Sequence, residues 1–225
     1  MTLRRYFDER IDQIRSHIVR MANLANEMIE LAVEATLTGR PELLERVIRQ
    51  DDEVDLLESQ ILRETVTLVM REAPVANDLR VLAATLGVIG DIEKIADDAE
   101  KIARRAKRIQ LNIPGEMRTA LMEMGVSART AVSASVRLYN DYSPELMREI
   151  VQMDEQVDQQ FAVARHRLVQ LIQENPAEAE RYFETIGMFH ALEHVVDRAL
   201  AIAKRLRLHF ESDMFPLRSS PPSES

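Results

Sequence analysis

The sequence predicts an all-α protein built as two tandem three-helix bundles related by a pseudo-twofold axis, and three observations carry that prediction. Composition is the first: 225 residues with 46% apolar content hold only 6 Gly, 4% aromatics and no Trp, while the good helix formers Ala, Leu, Met, Arg and Glu are plentiful. Punctuation is the second. Gly39 and Pro41, Pro74, Pro114 and Gly115, Pro144 and Pro176 divide the chain into six segments of about 26 to 38 residues with no strand-like alternation. An internal repeat is the third.

Segment one, about residues 3 to 38, places Ile11, Ile14, Ile18, Met21, Ala25, Met28, Ala32 and Ala35 on one helical stripe. Segment two opens at Pro41. Segment three runs from Pro74 to Ile109 and is the longest periodic stretch, with Leu82, Thr85, Ile89, Ile92, Ala96, Ala99, Ala103 and Ala106 on its apolar face. Asn77 and Asp78 read as its capping residues. Segment four, about 115 to 141, carries Met117, Leu121, Met124, Ala128, Ala131, Ser135 and Leu138. Its methionines read as gap-filling core rather than ligands. Segments five and six open at Pro144 and after Pro176.

The repeat pairs segment two with five and segment three with six. Pro41, Glu42, Leu43, Asp51, Val54 and Asp55 recur as Pro144, Glu145, Leu146, Asp154, Val157 and Asp158 without a gap. Glu93, Asp97, Ala99, Ile102 and Ala103 recur as Glu193, Asp197, Ala199, Ile202 and Ala203. The chain is thus read as a duplication, with residues 1–112 as the first repeat and 113–211 as the second. Three helices cannot bury all their apolar faces alone, so the two bundles are expected to pack together. Residues 212–225, ending in Ser219-Ser220-Pro221-Pro222-Ser223-Glu224-Ser225, have the composition of a disordered tail.

Composition also excludes several classes of function. Without Cys there is no disulfide framework and no thiolate metal site, which favours a cytoplasmic location. A net charge of −9 opposes nucleic-acid binding. The basic run Arg104-Arg105-Ala106-Lys107-Arg108 reads as a helix end facing the dipole, with an acidic partner or anionic lipid surface as the alternative. Val81 to Gly90, the longest uncharged apolar run, is about half a membrane span, and residues 1 to 9 lack a signal-type apolar region. A soluble protein with at most peripheral membrane association is expected.

Chemistry concentrates in acidic pairs. Glu93 and Asp97 stand one turn apart on one helix face, with Cβ atoms about 5 to 6 Å apart, at the shoulder of the apolar stripe. With 38 acidic residues a single such pair is unremarkable in chance terms, but Asp51/Asp55 and Glu93/Asp97 recur as Asp154/Asp158 and Glu193/Asp197. Antiparallel neighbours bring the two pairs of one repeat face to face. Four carboxylates so placed suit Mg²⁺, Mn²⁺, Fe, Ca²⁺ or Zn²⁺, and could hold more than one ion. The competing reading pairs them with cations, in particular Lys94, Arg80 or Arg165.

Two catalytic patterns find little support. Di-iron bundles need Glu-x-x-His, which none of His17, His166, His190, His194 or His209 completes. His190-Ala191-Leu192-Glu193-His194 fits H-x-x-E-H, but Gly90 and Lys94 replace its histidines in the first repeat, and it reads as a helix-surface histidine pair. There is no Gly-rich phosphate loop and no G-x-S-x-G.

The segments A-P-V-A-N-D-L-R and I-E-K-I-A-D-D-A-E-K-I-A, with D-D-E-V-D upstream and D-E-Q-V-D and L-E-H-V-V-D-R-A-L-A-I-A in the second half, resemble the PhoU family of phosphate-signalling proteins, from about Tyr6 to Phe210. The resemblance implies a non-enzymatic, cytoplasmic negative regulator of the phosphate-starvation response and of high-affinity phosphate uptake. It implies as partners the ATPase subunit of the phosphate ABC transporter, a phosphate-sensing histidine kinase, and a second copy in a homodimer. It implies metal clusters (Fe, Mn, Mg or Zn) on Asp51, Asp55, Glu93, Asp97, Asp154, Asp158, Glu193 and Asp197. The family's E-R-I-G-D reads Glu93-Lys94-Ile95-Ala96-Asp97 and Glu193-His194-Val195-Val196-Asp197 here. The guanidinium fork is lost both times while the chelating carboxylates remain. A metal-dependent phosphate-ester hydrolase using the same carboxylates, and a purely structural helical scaffold, are the alternatives.

Overall fold

In the computed structural model, residues 3–72 and 74–212 are described. Six helices follow in order: α1 (Leu3–Thr38), α2 (Pro41–Glu72), α3 (Ala76–Arg108), α4 (Arg118–Asn140), α5 (Pro144–Glu174) and α6 (Ala179–Ser212). Single 3-10 turns at Gly115–Met117 and Pro176–Glu178 lead into α4 and α6, and the described residues contain no strand. The tail expected from Ser212 onward lies outside the described residues, apart from Ser212 itself at the end of α6.

The punctuating residues act as their chemistry requires. Gly39 takes φ 72° just past α1, where its amide donates to the Ala35 carbonyl at 2.9 Å; this left-handed position closes the helix without a Cβ clash. At α5, Ser143 accepts the Leu146 amide at 3.3 Å and Pro144 occupies the first turn. Two expectations need correction. Val75 holds the N-cap position of α3 with no side-chain cap bond, so Asn77 and Asp78 lie within the first turn, two and three residues past the cap. Segment four begins as a 3-10 turn, and its α-helix starts only at Arg118.

Within each half the three helices pack pairwise, and the halves join chiefly through α3 against α6, with α1 against α4 beside it. Small residues make the close approach possible: Ala96, Ala99, Ala103 and Ala106 of α3 and Ala199 and Ala203 of α6 are fully buried. Phe189, Ile92, Ile95 and Ile102 fill the space around them. The seam has reciprocal pins. Arg105 of α3 lies over Gly187 of α6 and Arg205 of α6 over Gly87 of α3, so that a Cβ at either glycine would overlap the guanidinium. Arg105 then reaches Glu184 at 2.8 Å and Arg205 reaches Asp91 at 3.2 Å. The pseudo-twofold axis therefore passes between two arginine-on-glycine contacts.

The basic run is mostly consumed inside the molecule: Arg104 pairs with Glu100, and Arg105 and Arg108 share Glu184. Replacing Gly187 by Leu must displace Arg105, and overpacking at such a seam costs about 1 to 3 kcal/mol. The double variant Gly187→Leu/Arg105→Ala is expected to lose less than the two single losses combined, since the clash disappears with the guanidinium. Urea midpoints of the four proteins measure this. Among the described residues no helix is long and apolar enough to cross a membrane.

Candidate metal centre

Helical periodicity and the α2–α3 and α5–α6 hairpins decide where the acidic side chains meet. Val54 and Leu57 anchor α2, and Ile92, Ile95, Ala96 and Ala99 anchor α3, all buried. The intervening Asp51, Asp55, Glu93 and Asp97 are left along the edges of the facing stripes. The charges interact across the hairpin: burial, then the charges of Glu100, Asp55 and Asp97, push the Asp51 carboxyl up to about 6. Glu58, raised by burial and then by Glu93 and Asp55, belongs to the same group. The first half thus gathers six carboxylates: the expected Asp51, Asp55, Glu93 and Asp97, together with Glu58 and Glu100.

Two cations partly offset that charge. Lys94 Nζ lies 2.7 Å from Glu93 Oε2 and 3.4 Å from Asp97 Oδ2, and Arg104 holds Glu100. The pairing read from sequence is therefore present at Lys94, but from the same helix. Arg165 instead places its guanidinium 5.7 Å from the Phe161 ring centre.

In the second half Asp154, Asp158, Glu193 and Asp197 likewise interact through their charges, but in neither half do three of the expected carboxylates bring donor oxygens within 4.8 Å of one another. Burial and then the charges of Asp158 and Asp197 raise the Asp154 carboxyl to about 6, with Lys204 opposing. Burial and then Asp197 raise Glu193, with His190 opposing. Asp154 Oδ1 and Glu193 Oε2 are buried without a hydrogen-bond partner. Buried oxygens of this kind are costly unless they meet a proton or a cation.

Among the described residues, the one group with three donor atoms within 4.8 Å of one another is His190, Glu193 and His194. The two rings stand 4.0 Å apart between centres. The histidines form the helix-surface pair read from sequence, His190 exposed and His194 half-exposed, with the Glu193 carboxylate beside them. Hard carboxylate donors, two orphaned oxygens and a mutual repulsion only partly offset by Lys94, Arg104 and Lys204 are compatible with divalent or trivalent ions.

The raised values have a direct consequence for the metal-free protein. Asp51 and Asp154 sit near 3.8 when unfolded and near 6 when folded, so the folded state binds more protons between these values. Their stabilising contribution is complete below about pH 4 and lost as pH rises through about 6. After chelator treatment, Asp51→Asn/Asp154→Asn is expected to remove this part of the fall in urea midpoint between about pH 5 and pH 7.5.

The chain is a duplicated six-helix bundle with one acidic centre in each half. Two PhoU domains, at residues 18–106 and 121–206, match the chain, and the protein belongs to the PhoU family. Its relatives include proteins named phosphate-specific transport system accessory protein PhoU homolog. That of Pseudomonas aeruginosa is 29% identical over 201 residues, covering 88% of this chain and 82% of the relative. That of Aquifex aeolicus is 28% identical over 171 residues, covering 76% and 77%. The crystal structure of PhoU from Pseudomonas aeruginosa superposes with a TM-score of 0.87 at 26% identity, covering 92% of this chain and 99% of that one. The phosphate transport system regulatory protein PhoU of Streptococcus pneumoniae shares the fold, with a TM-score of 0.83 at 19% identity over 94% of this chain and all of its own.

Proposed function

We propose that this protein is an accessory regulator of a phosphate-specific transport system, one that restrains high-affinity phosphate uptake and the starvation response when phosphate is plentiful. The observation that carries this reading is the paired PhoU domain match across both halves, together with relatives named as accessory proteins of that system. In this reading the protein is a non-enzymatic, homodimeric adaptor at the cytoplasmic face. It contacts the transporter's ATPase subunit and a phosphate-sensing histidine kinase. Exposed apolar side chains at the α2–α3 corner, Leu62, Val66, Met70, Val75 and Leu79, support a role in protein contact.

Asp51, Asp55, Glu93 and Asp97 would hold ions in the first half, and Asp154, Asp158, Glu193 and Asp197 in the second. Such ions would neutralise charge and tie α2 to α3 and α5 to α6. The test is phosphate uptake in phosphate-rich medium. Cells lacking the gene are expected to take up phosphate faster than complemented cells, and equal rates would contradict the reading. Turnover of phosphate esters above background with Mn²⁺ or Mg²⁺ would overturn its non-enzymatic part.

A further inference from the structure

The two acidic centres are duplicates in position but not in chemistry. Glu58 and Glu100 of the first half are replaced at the matching positions of the second by Phe161 and Leu200, and Gly90 and Lys94 by His190 and His194. The second half therefore loses two carboxylates and a lysine and gains two imidazoles beside an aromatic wall, with the Phe161 ring centre 5.6 Å from that of His190.

Histidines four apart on one helix face are spaced to grip one ion. Here their nitrogens and a Glu193 oxygen already lie within 4.8 Å of one another. Glu193 Oε2 is buried without a hydrogen-bond partner. An open cleft of about 200 Å³ lined by His194, Asp197 and Arg198 adjoins the group, leaving room for water or a fourth donor.

We propose that the second half holds a distinct nitrogen–oxygen metal site formed by His190, His194 and Glu193, selective for Zn²⁺ or a similar imidazole-preferring divalent ion, while the first half remains an oxygen-only site for harder cations. The proposal rests on the metal-binding part of the function proposed above and specifies which ion each half takes. Imidazole nitrogen favours Zn²⁺, Co²⁺ and Ni²⁺ over Mg²⁺, Ca²⁺ and Mn²⁺, which carboxylate oxygens accommodate. Lys94 occupies in the first half the place of a ligand in the second, and its permanent charge repels an ion where His194 would bind one. Gly90 faces open space, with no atom within 4 Å of an added Cβ, so the first half can accept a histidine there.

The experiment is calorimetric titration of the chelator-treated full chain with Zn²⁺ and, separately, Mn²⁺. The background is Asp51→Asn/Asp55→Asn/Glu93→Gln/Asp97→Asn, so that only the second half reads. His190→Gln/His194→Gln, which alters half-exposed and exposed side chains, is expected to weaken Zn²⁺ on the order of 10- to 100-fold while leaving Mn²⁺ within about twofold. Co²⁺ should give intense visible ligand-field absorption that the same variant abolishes. Placing Gly90→His/Lys94→His in an otherwise wild-type first half should add a second tight Zn²⁺ equivalent. Zn²⁺ affinity that survives loss of both histidines but disappears with Asp154→Asn/Asp158→Asn/Asp197→Asn would overturn the proposal and leave carboxylate metal sites standing. If neither half of the wild-type chain binds any of the three ions, the metal-binding reading fails together with it.

Discussion

Asp51→Asn is expected to raise the stability of the metal-free protein and, if the proposed metal site holds, to lower that of the protein saturated with Mn²⁺. The opposite signs follow from one cause. Without metal, Asp51 is held ionised above pH 6 against burial and the charges of Glu100, Asp55 and Asp97. A raise of this size, at about 1.4 kcal/mol per pH unit and discounted for a half-exposed carboxylate, leaves roughly 1 kcal/mol for the amide to recover. In the proposed metal-bound state the same oxygen would be a ligand, and its loss would remove part of a binding stabilisation that reaches about 4 kcal/mol when the ion is a thousandfold above its Kd. Thermal melts of wild type and variant, each with chelator and with Mn²⁺, read both signs at once. Lys94 and Arg104 supply the contrast: were they the whole answer to the acidic charge, the variant would melt alike in both conditions.

The largest loss of stability is expected from Phe189→Ala, at about 3 to 5 kcal/mol. Phe189 is the bulkiest of the fully buried side chains and sits on α6, the helix that packs on α3, α4 and α5. Alanine there removes apolar area and leaves a cavity that the small-residue α3–α6 seam cannot collapse to fill, because its backbones are already close. Phe189→Leu, nearer in volume, is expected to cost less than half as much. The urea midpoint decides between them at unchanged slope.

The fold was legible in the sequence because each rule that makes a helix was written locally. Pro41 and Pro144 open α2 and α5, Gly39 ends α1, and the stripes from Ile11 to Ala35 and from Leu82 to Ala106 name the buried faces. The finer caps were less legible, since Asn77 and Asp78 are good capping residues that the chain places two and three residues too late to serve as the cap of α3.

In the acidic centres, duplication found the residues that have partners in both halves and missed those that do not. Glu58 and Glu100 correspond to Phe161 and Leu200 in the second repeat, so a search by repeat passes over them. The signal was nevertheless present. Asp51, Asp55 and Glu58, and Glu93, Asp97 and Glu100, each follow the spacing of two successive helical turns, which puts all three on one face. The Arg105–Gly187 and Arg205–Gly87 pins were not foreseeable from either repeat alone, because each arises only when α3 and α6 cross.

The function proposed for the protein is tested most directly by an alkaline phosphatase reporter of phosphate starvation, read in phosphate-rich medium in cells with the gene, without it, and with the eight carboxylates of the proposed metal centres replaced by amides. Low output with the intact protein and high output in the other two is the predicted result. It would tie regulation to the acidic centres. Output that stays equally low without the gene would contradict the regulatory role itself.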